Sequence, residues 1–489
     1  MLLAVDQMRF DYLDRFGFHL SGGLARLQRG GIVFTNAWQD QAITKTEPGH
    51  AAMLSGRFPR STGVVAHTQI LEDSAYPLVA GSGPGVSPSK FRGTTLFDWM
   101  HATDPRSRAL SVSRKDDAAM LMLGRARQTV LWYRGTGEFT TSRYYSDTLP
   151  TWVDAFNTSR IPHQYAGREW TPLLPEREYA EPDDVRFESL GRNTTFPHPF
   201  PLDSASTAAA FIAYPAMDSL LAAFALRGVT AMGLGAGEAT DLLAMSFSTT
   251  DAVGHQFGPD SREMHDQILR LDRHIGGFLD SLFRLRDSSR VIVVLTSDHG
   301  VTSYPELVAE RHGGRPMRVD LGPALDEFDV QLRRRGAGFG GSLADGIVWI
   351  DREPLRRARL NPDSVVRSLA ARLRRVPNVL RVDQVNTLAR RDTAKDDIAR
   401  RWLHALPPDL PADLVITLKP GAYWASTINA YHGMPHADDA RVPLIFYGMD
   451  IRPGVRREMV RVVDIAPTLA AILGITPAEP LDGRPLSLR

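Results

Sequence analysis

Cysteine is absent from all 489 residues, which excludes disulfides, thiolate metal sites and a cysteine nucleophile and leaves His, Asp and Glu as the available metal ligands. No apolar run approaches the about eighteen residues of a membrane-spanning helix, so no membrane span is expected. Met1-Leu2-Leu3-Ala4-Val5 meets Asp6 too soon to be the core of a signal peptide. Because the chain begins inside its first expected strand, a start upstream of residue 1 is expected. Charge of one sign is lacking as well: 57 Lys and Arg face 56 Asp and Glu, for a net +1. That balance gives no field to gather nucleic acid, so no obligate nucleic-acid partner is expected and any preference for phosphate must be local. What is present, 43% hydrophobic and 23% charged residues, suits a folded protein with a large core and excludes disordered and fibrous chains.

Short apolar runs recur at residues 2–5, 32–34, 109–112, 242–247, 291–295, 414–418 and 442–446, each reading as a strand buried on both faces. Amphipathic stretches lie between them, as at residues 262–285, where Ile268, Leu269, Leu271, Ile275, Phe278, Leu279 and Leu282 keep a helical period. Strands alternating with helices predict an α/β fold with a doubly wound, mostly parallel sheet spanning residues 1–489 as one core domain. Two stretches read as insertions. Residues 158–204, rich in Pro, Arg, Glu and aromatics without a period, suggest a surface excursion, and residues 302–413 suggest a small structured cap.

In doubly wound sheets ligands bind beyond the carboxyl ends of the strands. Asp6, Asp251 and the pair Asp298-His299 all follow apolar runs directly. Asp251-Ala252-Val253-Gly254-His255 sets two donors four residues apart, about one helical turn. Taken singly, each is also what a helix cap or a surface ion pair looks like. Together with His432 they make three carboxylates and three imidazoles, enough to give two ions three protein ligands each. Thr46 stands in Thr44-Lys45-Thr46-Glu47-Pro48-Gly49-His50, where Pro48 suits the first turn of a helix. Thr46 or Glu47 then lies at or near the N-cap, a position that favours an anion and equally suits a plain threonine cap.

These residues resemble the phosphate-irrepressible alkaline phosphatases and, more distantly, the nucleotide pyrophosphatase/phosphodiesterases, both in the alkaline phosphatase superfamily. The likeness runs from Ala4-Val5-Asp6-Gln7-Met8 to Val463-Asp464-Ile465-Ala466-Pro467 and is weakest in the two insertions. It implies a zinc-dependent phosphomonoesterase, periplasmic or secreted, acting on a small phosphate ester through a phosphothreonine intermediate. It implies two Zn2+ ions, one held by Asp251, His255 and His432 and the other by Asp6, Asp298 and His299, with Thr46 bridging the second ion and the substrate phosphorus. His432 is preferred to His436 because the family carries a histidine-glycine pair there.

The resemblance breaks in the phosphate-binding shell. Where the family has an asparagine this chain has His67, and where it has Lys-Asp-Arg this chain reads Lys115-Asp116-Asp117. Lys115 is kept, but the arginine fork that holds two oxygens of a dianion has become a carboxylate. Arg114 starts from a neighbouring position on another face. Phosphodiesters or nucleotide pyrophosphates are therefore an alternative substrate class, and a metal-binding pseudoenzyme is the alternative of another kind. A sulfatase fits poorly, because its cysteine or serine nucleophile motif is missing, and so does a mutase with its serine nucleophile.

Overall fold

Ten strands form one sheet in the computed structural model, in which residues 1–66, 71–81 and 83–488 are described. In chain order they are β1 (Leu2–Val5), β2 (Ile32–Trp38), β3 (Ala109–Ser113), β4 (Thr129–Arg134), β5 (Glu138–Thr140), β6 (Leu242–Phe247), β7 (Ile292–Thr296), β8 (Arg441–Gly448), β9 (Gly454–Arg456) and β10 (Val460–Arg461). Across the sheet the order is β9, β2, β8, β7, β1, β6, β3, β4, β5, with β10 also paired to β2. The five central strands β7, β1, β6, β3 and β4 are all parallel, and β8 runs antiparallel between β7 and β2.

Alternate residues of the central strands feed two separate cores. Leu3 and Val5 pack with Met245, Leu295 and the helix Arg262–Leu285 on one face, while Leu2 and Ala4 pack with Ala244, Val294 and the helices Thr46–Ser55 and Ile465–Leu473 on the other. Burial on both faces is why these strands read as unbroken apolar runs rather than as alternating ones. The expected helix matches Arg262–Leu285, capped by Ser261 accepting from the Met264 amide at 3.0 Å.

The run at 414–418 belongs elsewhere than its sequence suggests. Leu414–Leu418 pairs antiparallel with Ile347–Trp349 and Val379–Gln384, and Ser342–Ala344 completes a second, four-stranded sheet. Leu414, Ile416 and Leu418 face the core of that sheet, whereas Val415 faces the cluster around Trp402, so the run is apolar for the same two-faced reason. Residues 158–204 hold short 3-10 turns and a ladder of Glu169–Trp170 with His198–Pro199. Buried Asp266 anchors them, accepting from Trp170 Nε1 at 2.6 Å and from the Tyr179 hydroxyl at 2.7 Å. Among the described residues no single helix is long and apolar enough to cross a membrane.

One buried carboxylate gathers guanidinium groups from the insertion and from the core. Asp40, fully buried, accepts from Arg400 Nε at 3.0 Å and Arg401 Nε at 3.1 Å on the helix Asp397–Ala405, and from Arg461 Nε at 2.9 Å. Burial opposes its charge, but His404 and Arg400 outweigh that and hold the carboxyl below its usual range. Its contribution is therefore present above about pH 4 and lost as the pH falls. Asp40→Ala should cost on the order of 3–5 kcal/mol in denaturant unfolding at pH 7, because it removes the carboxylate shared by buried Arg401 and half-buried Arg400 and Arg461. A loss below about 1 kcal/mol would show that the hub is dispensable.

Candidate active site

Four parallel strands deliver their next residues to one place. Asp6 follows β1, Lys115 follows β3, the helix Thr249–Phe257 carrying Asp251 and His255 follows β6, and Asp298-His299 follows β7. His432 comes from the segment ahead of β8, and Thr46 is the first residue of the helix Thr46–Ser55. That helix sits hard against the end of β7. A Cβ at Gly49 would stand 2.3 Å from the Asp298 carbonyl oxygen, so only glycine lets the helix that begins at Thr46 come this close.

The six expected ligands fall into two groups. Donor atoms of Asp251, His255 and His432 lie within 4.8 Å of one another, as do those of Asp6, Asp298 and His299. Each imidazole is oriented by a backbone carbonyl. Nδ1 of His255 donates to Ala430 O at 2.7 Å, that of His432 to Thr44 O at 2.8 Å, and that of His299 to Gly300 O at 2.9 Å. The Nε2 lone pairs are thereby turned into the site, the tautomer a metal ligand needs. His255 Nε2 lies 3.3 Å from His432 Nε2 and 3.1 Å from Asp251 Oδ1; burial opposes a charge on His255 but Asp251 outweighs it and raises the imidazole, so a cation here would displace a proton. Asp6 Oδ1 and Asp298 Oδ2 are buried without a hydrogen-bond donor. Inward-turned ring nitrogens and orphaned carboxylate oxygens fit a cation in each group.

Lys115 joins the groups. Its Nζ lies 2.7 Å from Asp6 Oδ2, 2.8 Å from Asp251 Oδ2 and 3.1 Å from Thr46 Oγ1, so the threonine hydroxyl sits between the two triads. Thr46 Oγ1 is also 3.4 Å from His299 Nε2. Burial, then Asp251 and Asp298, push the Asp6 carboxyl well above its ordinary range, a measure of how crowded three carboxylates are around one ammonium. Burial would neutralise Lys115, but Asp251 and Asp6 outweigh it and keep the ammonium charged. Burial lowers His432 and His299, so both stay neutral donors.

Several site residues have no obvious sequence signal. Gln7, in the left-handed region at φ 66°, donates its amide to Asp298 Oδ1 at 3.0 Å and its side chain to Asp251 Oδ1 at 2.9 Å, bracing one carboxylate of each group. His50 lies 3.2 Å from Asp298 Oδ2 and 2.8 Å from Ser246 Oγ. Its place one turn after Thr46 is the only hint the chain offers. Arg114 reaches toward Asp251, its Nη2 3.6 Å from Oδ2 and donating to Ser248 O at 3.3 Å. His67 lies outside the described residues. Asp117 is buried and accepts from the Ala118 amide at 2.7 Å, with Glu47 and Asp116 as its charged neighbours.

A mostly parallel α/β sheet that closes two carboxylate-histidine triads around one threonine defines a class of metal-fitted hydrolytic sites. The chain belongs to the type I phosphodiesterase/nucleotide pyrophosphatase family, whose model matches residues 1–438. It is similar to alkaline phosphatase PhoV of Synechococcus elongatus, 29% identical across 97% of this chain and 89% of that protein. It is also similar to alkaline phosphatase PafA of Elizabethkingia meningoseptica, 28% identical across 99% and 93%. The crystal structure of wild-type alkaline phosphatase PafA matches at a TM-score of 0.91 and 28% identity, covering 99% of this chain and 97% of that one. Murine ectonucleotide pyrophosphatase/phosphodiesterase 5, at a TM-score of 0.56 and 16% identity, shares the fold. The expected superfamily, fold class and hydrolase class all hold.

Burial, then Glu47 and Asp116, push Asp117 from 3.8 up to about 7. A carboxyl raised on folding contributes stability that is complete at low pH and lost as the pH rises through that value. Asp117→Asn should therefore match the parent near pH 4 and exceed it at pH 8 by on the order of 1–3 kcal/mol in denaturant unfolding. An equal difference at both pH values would contradict the buried, protonated carboxyl.

Proposed function

We propose that this chain is a two-zinc phosphomonoesterase that works through a phosphothreonine at Thr46. The observation that carries this reading is Lys115 Nζ, 3.1 Å from Thr46 Oγ1 while it bridges Asp6 and Asp251. The lysine is thereby a common neighbour of the Thr46 hydroxyl and of one carboxylate from each triad, which supports a shared role. Asp251, His255 and His432 would hold one ion and Asp6, Asp298 and His299 the other; mixed nitrogen and oxygen donors in threes suit zinc with an open position. When bound, such ions supply Lewis-acid charge that favours the alkoxide of a neighbouring hydroxyl and offsets charge gathering on ester oxygens.

The chain's own residues account for the rest. Thr46 begins a helix, where the dipole favours negative charge on its oxygen and on the phosphate beyond it. The Lys115 ammonium stabilises the same charge at hydrogen-bond distance. Thr46 gives up its hydroxyl proton to solvent and its Oγ1 forms a bond to phosphorus as the ester P–O bond breaks and the leaving oxygen takes a proton from solvent. Water then attacks phosphorus from the vacated side, the Thr46 oxygen leaves, and inorganic phosphate is released. His67, matching the family's asparagine position, is the proposed second donor to the phosphate.

Asp117 is the specific observation behind a second reading, the hydrolysis of phosphodiesters. A carboxyl where the family keeps an arginine withholds the fork that grips a dianion, which costs a monoester more than a monoanionic diester.

Thr46→Ala should keep both metals by elemental analysis and lose p-nitrophenyl phosphate turnover by about a thousandfold or more. Retention of parental turnover would remove Thr46 as nucleophile. Asp117→Arg should raise kcat/KM for p-nitrophenyl phosphate relative to bis-p-nitrophenyl phosphate by about tenfold or more; an unchanged ratio would leave position 117 without a part in selecting the ester.

A further inference from the structure

The residue just before the nucleophile is held by the second sheet. Lys45 caps the helix Thr46–Ser55, and its Nζ is paired with Asp345 Oδ1 at the tip of the hairpin that joins Ser342–Ala344 to Ile347–Trp349. Asp345 at φ 50° and Gly346 at φ 77° make a two-residue turn whose twist fits the hairpin. The turn is pinned from behind. Gly346 O accepts from the Ile416 amide at 2.8 Å, and a Cβ on Gly346 would meet Ile416 O at 2.7 Å. Asp345 is thus delivered on a rigid arm rather than a loose loop.

The pair borders the His432 side of the site. A methyl placed on Gly433 would stand 3.7 Å from Lys45 Cε and 3.3 Å from the Tyr431 hydroxyl, and these two residues flank His432. Lys45 and Asp345 keep 22% and 16% of their side-chain surface exposed, so they line open space instead of filling the core. If Thr46 attacks from the Asp298-His299 side, in-line displacement sends the leaving group out past Asp251, His255 and His432, along this rim.

We infer that the Lys45–Asp345 pair is a specificity device at the leaving-group exit: Asp345 neutralises Lys45, which makes the exit suited to leaving groups without further negative charge and poor for those that carry phosphates. The inference rests on the proposed phosphomonoesterase reading. It assigns Asp345, a residue of the second sheet, a part in choosing the substrate although it touches neither triad. Removing its charge would leave a lysine free to pair with a polyphosphate leaving group.

Asp345→Asn is the informative variant, because asparagine is at home in the left-handed turn conformation and the hairpin survives. With zinc-loaded protein, the ratio of KM for p-nitrophenyl phosphate to KM for ATP should rise about three- to tenfold in Asp345→Asn, through KM for ATP and with kcat little changed. Adding Lys45→Met should cancel that rise, and so should about 0.5 M salt, which screens a partly exposed charge. An unchanged KM ratio, or a rise that persists in the double variant, overturns the inference while leaving the phosphatase reading intact. Absence of turnover by the zinc-loaded parent on both substrates overturns the two together.

Discussion

Three buried carboxylates gathered around one ammonium are the constraint on which the rest of this molecule turns. Asp6, Asp251 and Asp298 are each shielded from water, and Lys115 pairs with only two of them. Like charges at this separation in a dry site repel strongly, so the arrangement persists only with more positive charge than the chain itself provides. The imidazoles are set to receive that charge: His255, His432 and His299 give their Nδ1 protons to the carbonyls of Ala430, Thr44 and Gly300 and turn Nε2 toward the site. The same constraint explains why the supports are so numerous: Gln7 braces Asp251 and Asp298, and His50 stands against the other oxygen of Asp298, Oδ2.

The fold exists to hold that cluster still. Four parallel strands buried on both faces end within reach of one another, and each hands its next residue to the site. Residues at strand ends inherit the rigidity of the core, which is the precision a threonine needs between two triads. The insertion that carries the second sheet is fastened to the core through Asp40 and touches the segment before Thr46 through Asp345. Stability and selectivity thus use two separate ion pairs of the same insertion.

Much of this was legible in the chain. Central strands announced themselves because burial on two faces forbids polar residues, and the acids after them stood out for the same reason. The DxxxH spacing and the DHG triplet after a strand mark candidate ligands, whereas the division of the six into two sets and the role of Thr46 come from the resemblance to the alkaline phosphatases. Less was legible where the physics is not local. Leu414–Leu418 is as apolar as any central strand, and nothing in five residues says which sheet will bury it. β4 is not among the runs read as strands, although Val130-Leu131-Trp132-Tyr133 is itself apolar, buried and strand-favouring. Gln7, His50 and Asp345 meet partners 196 to 300 residues away in the chain, so no window of sequence could assign them.

The central claim is that the two triads are two metal positions with Thr46 between them. Anomalous diffraction at the zinc edge, from crystals of the zinc-loaded protein, tests it most directly. The account predicts two peaks, one enclosed by Asp251, His255 and His432 and the other by Asp6, Asp298 and His299, each within bonding distance of its three donors. A single peak, or zinc bound away from either triad, would contradict it.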